Sequence, residues 1–285
     1  DNASGTLASL QLGGRELLHA GPLVNLWRAP TDNDGVKQWS GQADKPLGRW
    51  LEAGLDTLQP RCVKSSVRRS GDGSVTFRAE HVASAAGREN AVLHRSVYTV
   101  LPGGCIRVEN TIIAARSLPD LPRVGVKLAL APGLETVEYF GRGPIENYID
   151  RNACTPVGRY ATTVTEMYVP YIVPQECGNR TDTRWLTLSN DHAGLLVAAE
   201  DVLEFSALHF SDRDLYDATH TWQLDARPET YLTLDARNRG LGGRSCGPDT
   251  LEKYRVEPGT WRLTFTLVPY APAQTDPAEL ARKVR

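Results

Sequence analysis

Long apolar runs are missing from this 285-residue chain, and none approaches the roughly eighteen residues of a membrane-spanning helix. Charge of one sign is missing too. The formal net charge of −2 supplies no basic field for a general nucleic-acid or membrane-surface role. No charged segment followed by an apolar one marks a signal peptide, and the chain starts at Asp1 rather than Met, as a piece of a longer protein would. Cys62, Cys105, Cys154, Cys177 and Cys246 are odd in number and widely spaced, without a CxxC or Cys/His ligand pattern. Free thiols in a reducing cytoplasm are the simplest reading. The six histidines are equally scattered, so no metal site and no cofactor is expected from this chain. A GxSxG elbow, a phosphate-cradling GxxxxGK[ST] and a GxGxxG after a strand are all absent. "GLGG" at 240–243 stands in a β context with no following helix, which makes a nucleotide site a poor reading. Neither repeats nor low-complexity tracts divide the chain, so one continuous domain over 1–285 is expected.

What is present is strand. Hydrophobic residues make up 41%, enough for a sizeable core. "SVTFRAEHV" (74–82), "VLHRSVYTVL" (92–101) and "CIRVENTIIA" (105–114) alternate apolar and polar residues at the period of a half-buried strand. "LPGG" between the last two reads as a hairpin turn. "RVGVKLALA", "RWLTLSN", "GLLVAAE", "LEFSALHF", "TYLTLDAR" and "TWRLTFTLV" continue the pattern, with Gly/Asp/Asn/Pro turns between them. Many short strands predict an all-β sandwich or barrel. Helices are few: "SDRDLYDATH" with Ser211 as N-cap, "DPAELARKVR" with Pro277 in the first turn, and a turn or two in "PLGRWLEAGLD".

Four segments fit neither strand nor ordinary turn. They are "NLWRAPTDNDG" (25–35), "YFGRGPIENYIDR" (139–151), "YVPYIVPQECGNRTDTRW" (168–185) and "DARNRGLGGRSCGPDT" (235–250). Each mixes aromatics, Gly/Pro turns and polar groups able to form paired hydrogen bonds, a mixture suited to sugars. Ring faces stack on aromatics while carboxylates, amides and arginines bond the hydroxyls. The structural alternative is that Asp32, Asn33 and Asp34 make an Asx-type turn, and that Arg142, Glu146 and Asp150 form an ion-pair cluster fixing two loops. A glycosidase needs two carboxyls, roughly 5–5.5 Å apart if retaining or 6.5–9.5 Å if inverting. Asp32, Asp34, Glu146, Glu176 and Asp182 are available.

In this order, "WRAPTDND", "GRGPIENYIDR", "YVPYIVPQECGNRTDTRWL" and "RGLGGRSCGPDT" resemble the C-terminal, small-chain or fifth domain of lac-type β-galactosidases, glycoside hydrolase family 2. The resemblance runs from about residue 4 to residue 270. It implies a large antiparallel supersandwich similar to galactose mutarotases, lying against a TIM barrel that holds both catalytic glutamates. No catalytic residue is then expected in this chain. The barrel domain or large subunit is the implied partner, a terminal β-D-galactoside the substrate, and a homo-oligomer the complete enzyme, where any Mg or Na would belong. Asp32, Asn33, Asp34 and Gly35 become residues of the substrate-site rim. Trp27, Arg28, Arg142, Glu146, Glu176, Arg180 and Asp182 are candidates for contacting sugar or fixing loops. Some members place a wall-forming tryptophan just after the "GG" of the last motif. Cys246 falls nearest that position, and a thiol offers no ring face. Cys177 likewise stands where asparagine is more usual. Two rival readings remain: a stand-alone carbohydrate-binding module, and an aldose epimerase of the mutarotase type using a His and a Glu. His209 and His220 are the histidines beside plausible site segments.

Overall fold

The computed structural model describes residues 1–85 and 87–284. Strands β1 (Gln11–Leu12) and β2 (Arg15–Glu16) form a separate ribbon. The twelve others described join antiparallel in one sheet. They are β3 (Leu18–Asn25), β4 (Arg61–Arg69), β5 (Val75–Ala85), β6 (Arg88–Val100), β7 (Ile106–Ala114), β8 (Arg123–Leu130) and β9 (Thr136–Arg142). β10 (Val157–Thr163), β11 (Arg180–Ser189), β12 (Gly194–Leu208), β13 (Thr230–Asn238) and β14 (Thr260–Tyr270) complete it. The period-2 reading holds most cleanly in β7, where every second residue from Ile106 to Ala114 is buried. The "LPGG" turn between β6 and β7 closes as expected, with Gly103 at φ 100° and Gly104 at φ 86°.

The order β10-β9-β11-β12-β14-β7-β6-β5-β4 forks at β12. Its first half, Gly194 to Ala199, pairs with β14. Its second half, Glu204 to Leu208, pairs with β13, which continues to β8 and β3. The fork lets the two arms face each other across one core. Tyr98, Ile106, Val108, Phe265 and Leu267 of one arm pack in the same cluster as Val126, Leu128, Leu232 and Leu234 of the other. The chain is thus an all-β antiparallel supersandwich with few helices. The sequence reads "GLLVAAE" and "LEFSALHF" as two strands, and the structure corrects this to the single strand β12.

The helices are α1 (Pro46–Glu52), α2 (Val164–Met167), α3 (Asp212–Asp217) and α4 (Pro277–Val284). Ser211 caps α3 by accepting from the Asp214 backbone N–H, and Asp214 reaches back to the Ser211 N–H. Pro277 opens α4. α1 places Trp50 and Leu47 in a second core beside Trp27, Leu26 and Val256. That core backs the loop leaving β3.

Candidate functional site

The loop after β3 is organised from inside. Trp27 is buried, edge-on to Trp50 at 6.4 Å and to Tyr216 at 5.5 Å. Arg28, at 0% exposure, donates to both Asp34 oxygens, from Nε at 3.1 Å and Nη2 at 2.7 Å. Its Nη1 donates to Asn238 Oδ1 at 2.8 Å. The same carboxylate accepts from the Thr31 N–H at 2.9 Å and from Thr31 Oγ1 at 3.1 Å. Asp34 therefore closes the 31–34 turn by reaching back to the Thr31 N–H, in place of the expected Asx-type turn, and neutralises a buried guanidinium. Gly35 is buried at φ 142°, where a Cβ would meet Leu47 Cβ at 3.0 Å. These positions correct the expectation for two rim residues. Asp34 and Gly35 are interior rather than rim, while buried Trp27 and Arg28 take the loop-fixing alternative.

The remaining two acidic-turn residues do face outward. The Asp32 N–H donates to Gln175 Oε1 at 3.1 Å, and Gln175 Nε2 returns a 3.4 Å bond to Asp32 Oδ2. Asn33 Nδ2 donates to the Gly242 carbonyl at 2.8 Å, and Asn33 Oδ1 accepts from Ser245 Oγ at 2.8 Å. This turn thus bridges the third and fourth sequence segments. In the second segment, Asp150 accepts from the N–H groups of Leu241 at 3.0 Å and Gly242 at 2.7 Å. Glu146 accepts from Arg151 Nη2 at 2.5 Å, the Gly178 N–H at 2.8 Å and the Tyr171 hydroxyl. Arg142 donates to Asp182 at 2.5 Å and to the carbonyls of Asn152 and Thr155, so that pair ties loops together. Arg180 is buried and donates to Tyr139 Oη at 2.9 Å.

All four segments meet around a half-open cavity of about 270 Å³. The first supplies Thr31, Asp32 and Asn33; the second Glu146, Tyr148 and Arg151; the third Tyr171, Gln175 and Glu176; the fourth Leu241 and Ser245. Arg142, Arg180 and Asp182 do not line it. Cys246 is exposed, one residue from Ser245, so it does not sit in a packed turn. Cys177 is buried in the main core, where burial pushes its thiol up. His209 bonds Glu135 Oε2 at 2.8 Å and the Glu229 carbonyl at 3.1 Å, while His220 is stacked on Trp222 at 6.0 Å. Neither lines the cavity.

Beneath the cavity lies Arg123, which the sequence does not single out because it merely opens an apolar strand. It donates to Glu176 at 3.2 Å from both Nη1 and Nη2, and to Asp235 at 3.0 Å from Nε. Asp212 lies 3.7 Å away. Asp235 faces Glu204 directly across β12 and β13. Burial, only partly opposed by Arg123, pushes Asp235 up to about 7. Burial also pushes Glu204 up to about 7, against hydrogen bonds from Asn179 and the Asn238 backbone. Glu176 is raised in the same way. Tyr148, Arg151, Tyr171, Gln175 and Ser245 belong to the quoted segments, but no periodicity indicates which loop side chains turn inward.

The molecule so described is a β supersandwich whose four loop segments enclose a small polar cavity. Residues 1–267 match the family described as Beta galactosidase small chain, and the chain belongs to that family. It is 35% identical over 243 residues to a β-galactosidase of Vibrio cholerae, covering 84% of this chain and 23% of that protein. With the β-galactosidase of Photobacterium profundum it shares 33% identity over 275 residues, covering 93% of this chain and 26% of the other. The chain spans about a quarter of the length of the curated relatives it matches. Similar solved structures include an aldose epimerase homologue from C. elegans, at TM-score 0.46 and 12% identity over 94% of each chain. A putative aldose 1-epimerase from Escherichia coli gives TM-score 0.43 and 10% identity, covering 94% of this chain and 93% of the other.

Proposed function

We propose that this chain is the non-catalytic supersandwich part of a β-galactosidase. It completes the wall of the galactoside site, while the acid/base and nucleophilic carboxylates belong to a barrel domain or large subunit. The observation that carries this reading is the match of nearly the whole chain to a quarter of proteins named β-galactosidase. The cavity's carboxyls support it. Glu146 and Glu176 have both oxygens engaged by buried or partly buried donors, which suits holding loops better than exchanging protons with a substrate. Asp32, Asn33 and the exposed Cys246 form the rim in this proposal. The assembled enzyme is a cytoplasmic homo-oligomer, with any Mg or Na held outside this chain. An epimerase reading gains nothing from His209 and His220, which lie away from the cavity.

The isolated chain should not hydrolyse a chromogenic β-galactoside. Turnover that persists through purification and disappears on mutating a carboxylate of this chain would overturn the proposal. Micromolar affinity of the isolated chain for lactose would favour a stand-alone binding module instead.

A further inference from the structure

We propose that the outer face of β4, β5, β6, β7 and β14 is a docking surface for an acidic face of the enzyme's catalytic part. The proposal rests on the β-galactosidase reading and names a contact which that reading leaves open. Cross-strand partners share a face of a sheet, so the pairing registers place the side chains. One row runs Lys64, Glu80, Arg95, Thr111 and Arg262 across the five strands. Neighbouring rows bring Arg61, Arg68, Arg78 and Arg107 to the same face. Seven cations thus gather on one face of a chain whose formal net charge is −2. Acids answer only Arg95 and Arg107. Glu80 bonds Arg95 at 3.3 Å, while Glu109 and Glu200 lie 3.5 and 2.7 Å from Arg107. Arg61, Lys64, Arg68, Arg78 and Arg262 are exposed and, among the described residues, have no ion pair.

What lies between the cations selects the partner. Val82, Leu93 and Ile113 form a row that starts at Arg61, and Val97 stands beside Arg78. All four are half-buried. A polysaccharide or nucleic-acid backbone pairs with the cations but gains little from aliphatic side chains. A protein surface uses both, as interfaces combine arginine with an apolar centre and complementary charge. A second copy meeting through the same face sets like charges against each other, which opposes association. The chain spans about a quarter of the length of its curated relatives, and in this proposal the remainder supplies the acidic face.

The test is a calorimetric titration of the catalytic part, expressed without this chain, with the purified 285-residue chain. The parent is compared with the double variant Arg68→Glu/Arg78→Glu and with Arg15→Glu, a charge reversal on the separate ribbon. The double reversal should raise Kd about tenfold or more and flatten its rise with salt. Its melting temperature should match the parent's, because both side chains are exposed. Arg15→Glu should leave Kd within about twofold. A Kd that the double reversal leaves unchanged overturns the docking face, and hydrolysis restored on mixing would still uphold the enzyme-part reading. Association that the reversal weakens, but that restores no hydrolysis, keeps the docking face and overturns completion of the galactoside site. A chain that does not bind the catalytic part overturns both. Heparin bound more tightly than the catalytic part would assign the face to a polyanion. A dimer of the chain alone that the reversal dissolves would assign it to a second copy. Either result overturns the proposal.

Discussion

Asp32 and Asp34 stand two residues apart and have opposite fates. Asp34 is wholly buried against Arg28, whereas Asp32 faces the cavity mouth. Removing one member of a buried pair leaves the other charge uncompensated, so Asp34→Ala should cost about 3–5 kcal/mol in chemical denaturation. Asp32→Ala should stay within about 0.5 kcal/mol, as exposed substitutions usually do. Equal losses at both positions would refute the division between interior and rim. The sequence shows that "PTDND" is unusual but not which acid turns inward, because a loop has no period to read. Cys246 permits a similar contrast. Since it is exposed, Cys246→Trp in the full-length enzyme should leave the melting temperature unchanged while altering KM for lactose, by about 1 kcal/mol for one aromatic contact. A large fall in melting temperature with constant KM would remove Cys246 from the substrate wall.

At the scale of elements, β12 shows where periodicity succeeds and where it misleads. Its ends are buried, but Glu200, Asp201 and Val202 are exposed, so the sequence looks like two strands separated by a polar turn. The backbone continues because β12 changes partner there, from β14 to β13. Beyond the change, Glu204 and Asp235 face each other near Arg123, with Glu176 and Asp212 on the same guanidinium. Both facing carboxyls are raised to about 7 in the folded state. Between the unfolded carboxyl range near pH 4 and pH 7, the native state therefore holds protons that the unfolded chain has released. Their contribution to stability is fully present below the unfolded pKa and is lost as pH rises through about 7. The melting temperature should thus fall from pH 5.5 to pH 8, and Glu204→Gln should flatten that fall by about 2 °C or more. A melting temperature that rises with pH across this window would contradict the assignment.

For the molecule as a whole, the all-β class and most strand positions were legible because period-2 burial repeats along the chain, as in β7. The four site segments were legible as a mixture of Gly, Pro, aromatics and acids. That they converge on one cavity was not, since convergence depends on long-range bonds such as Asn33 to Gly242 and Asp150 to Leu241. Arg123, which anchors the floor, left no trace in the local pattern. None of the five cysteines is paired, so labelling under denaturing, non-reducing conditions should count five free thiols. A count of one or three would contradict the structure.

The central claim is that this chain completes a catalytic body it does not contain. Its most direct test is complementation. The catalytic part, whether it is a barrel domain of the same polypeptide or a large subunit, is expressed without this chain and assayed on a chromogenic β-galactoside, alone and with the purified 285-residue chain added. Each part alone should be nearly inactive, and mixing should restore hydrolysis saturably as the parts associate. Full activity from the rest alone, with no response to the added chain, would contradict the account.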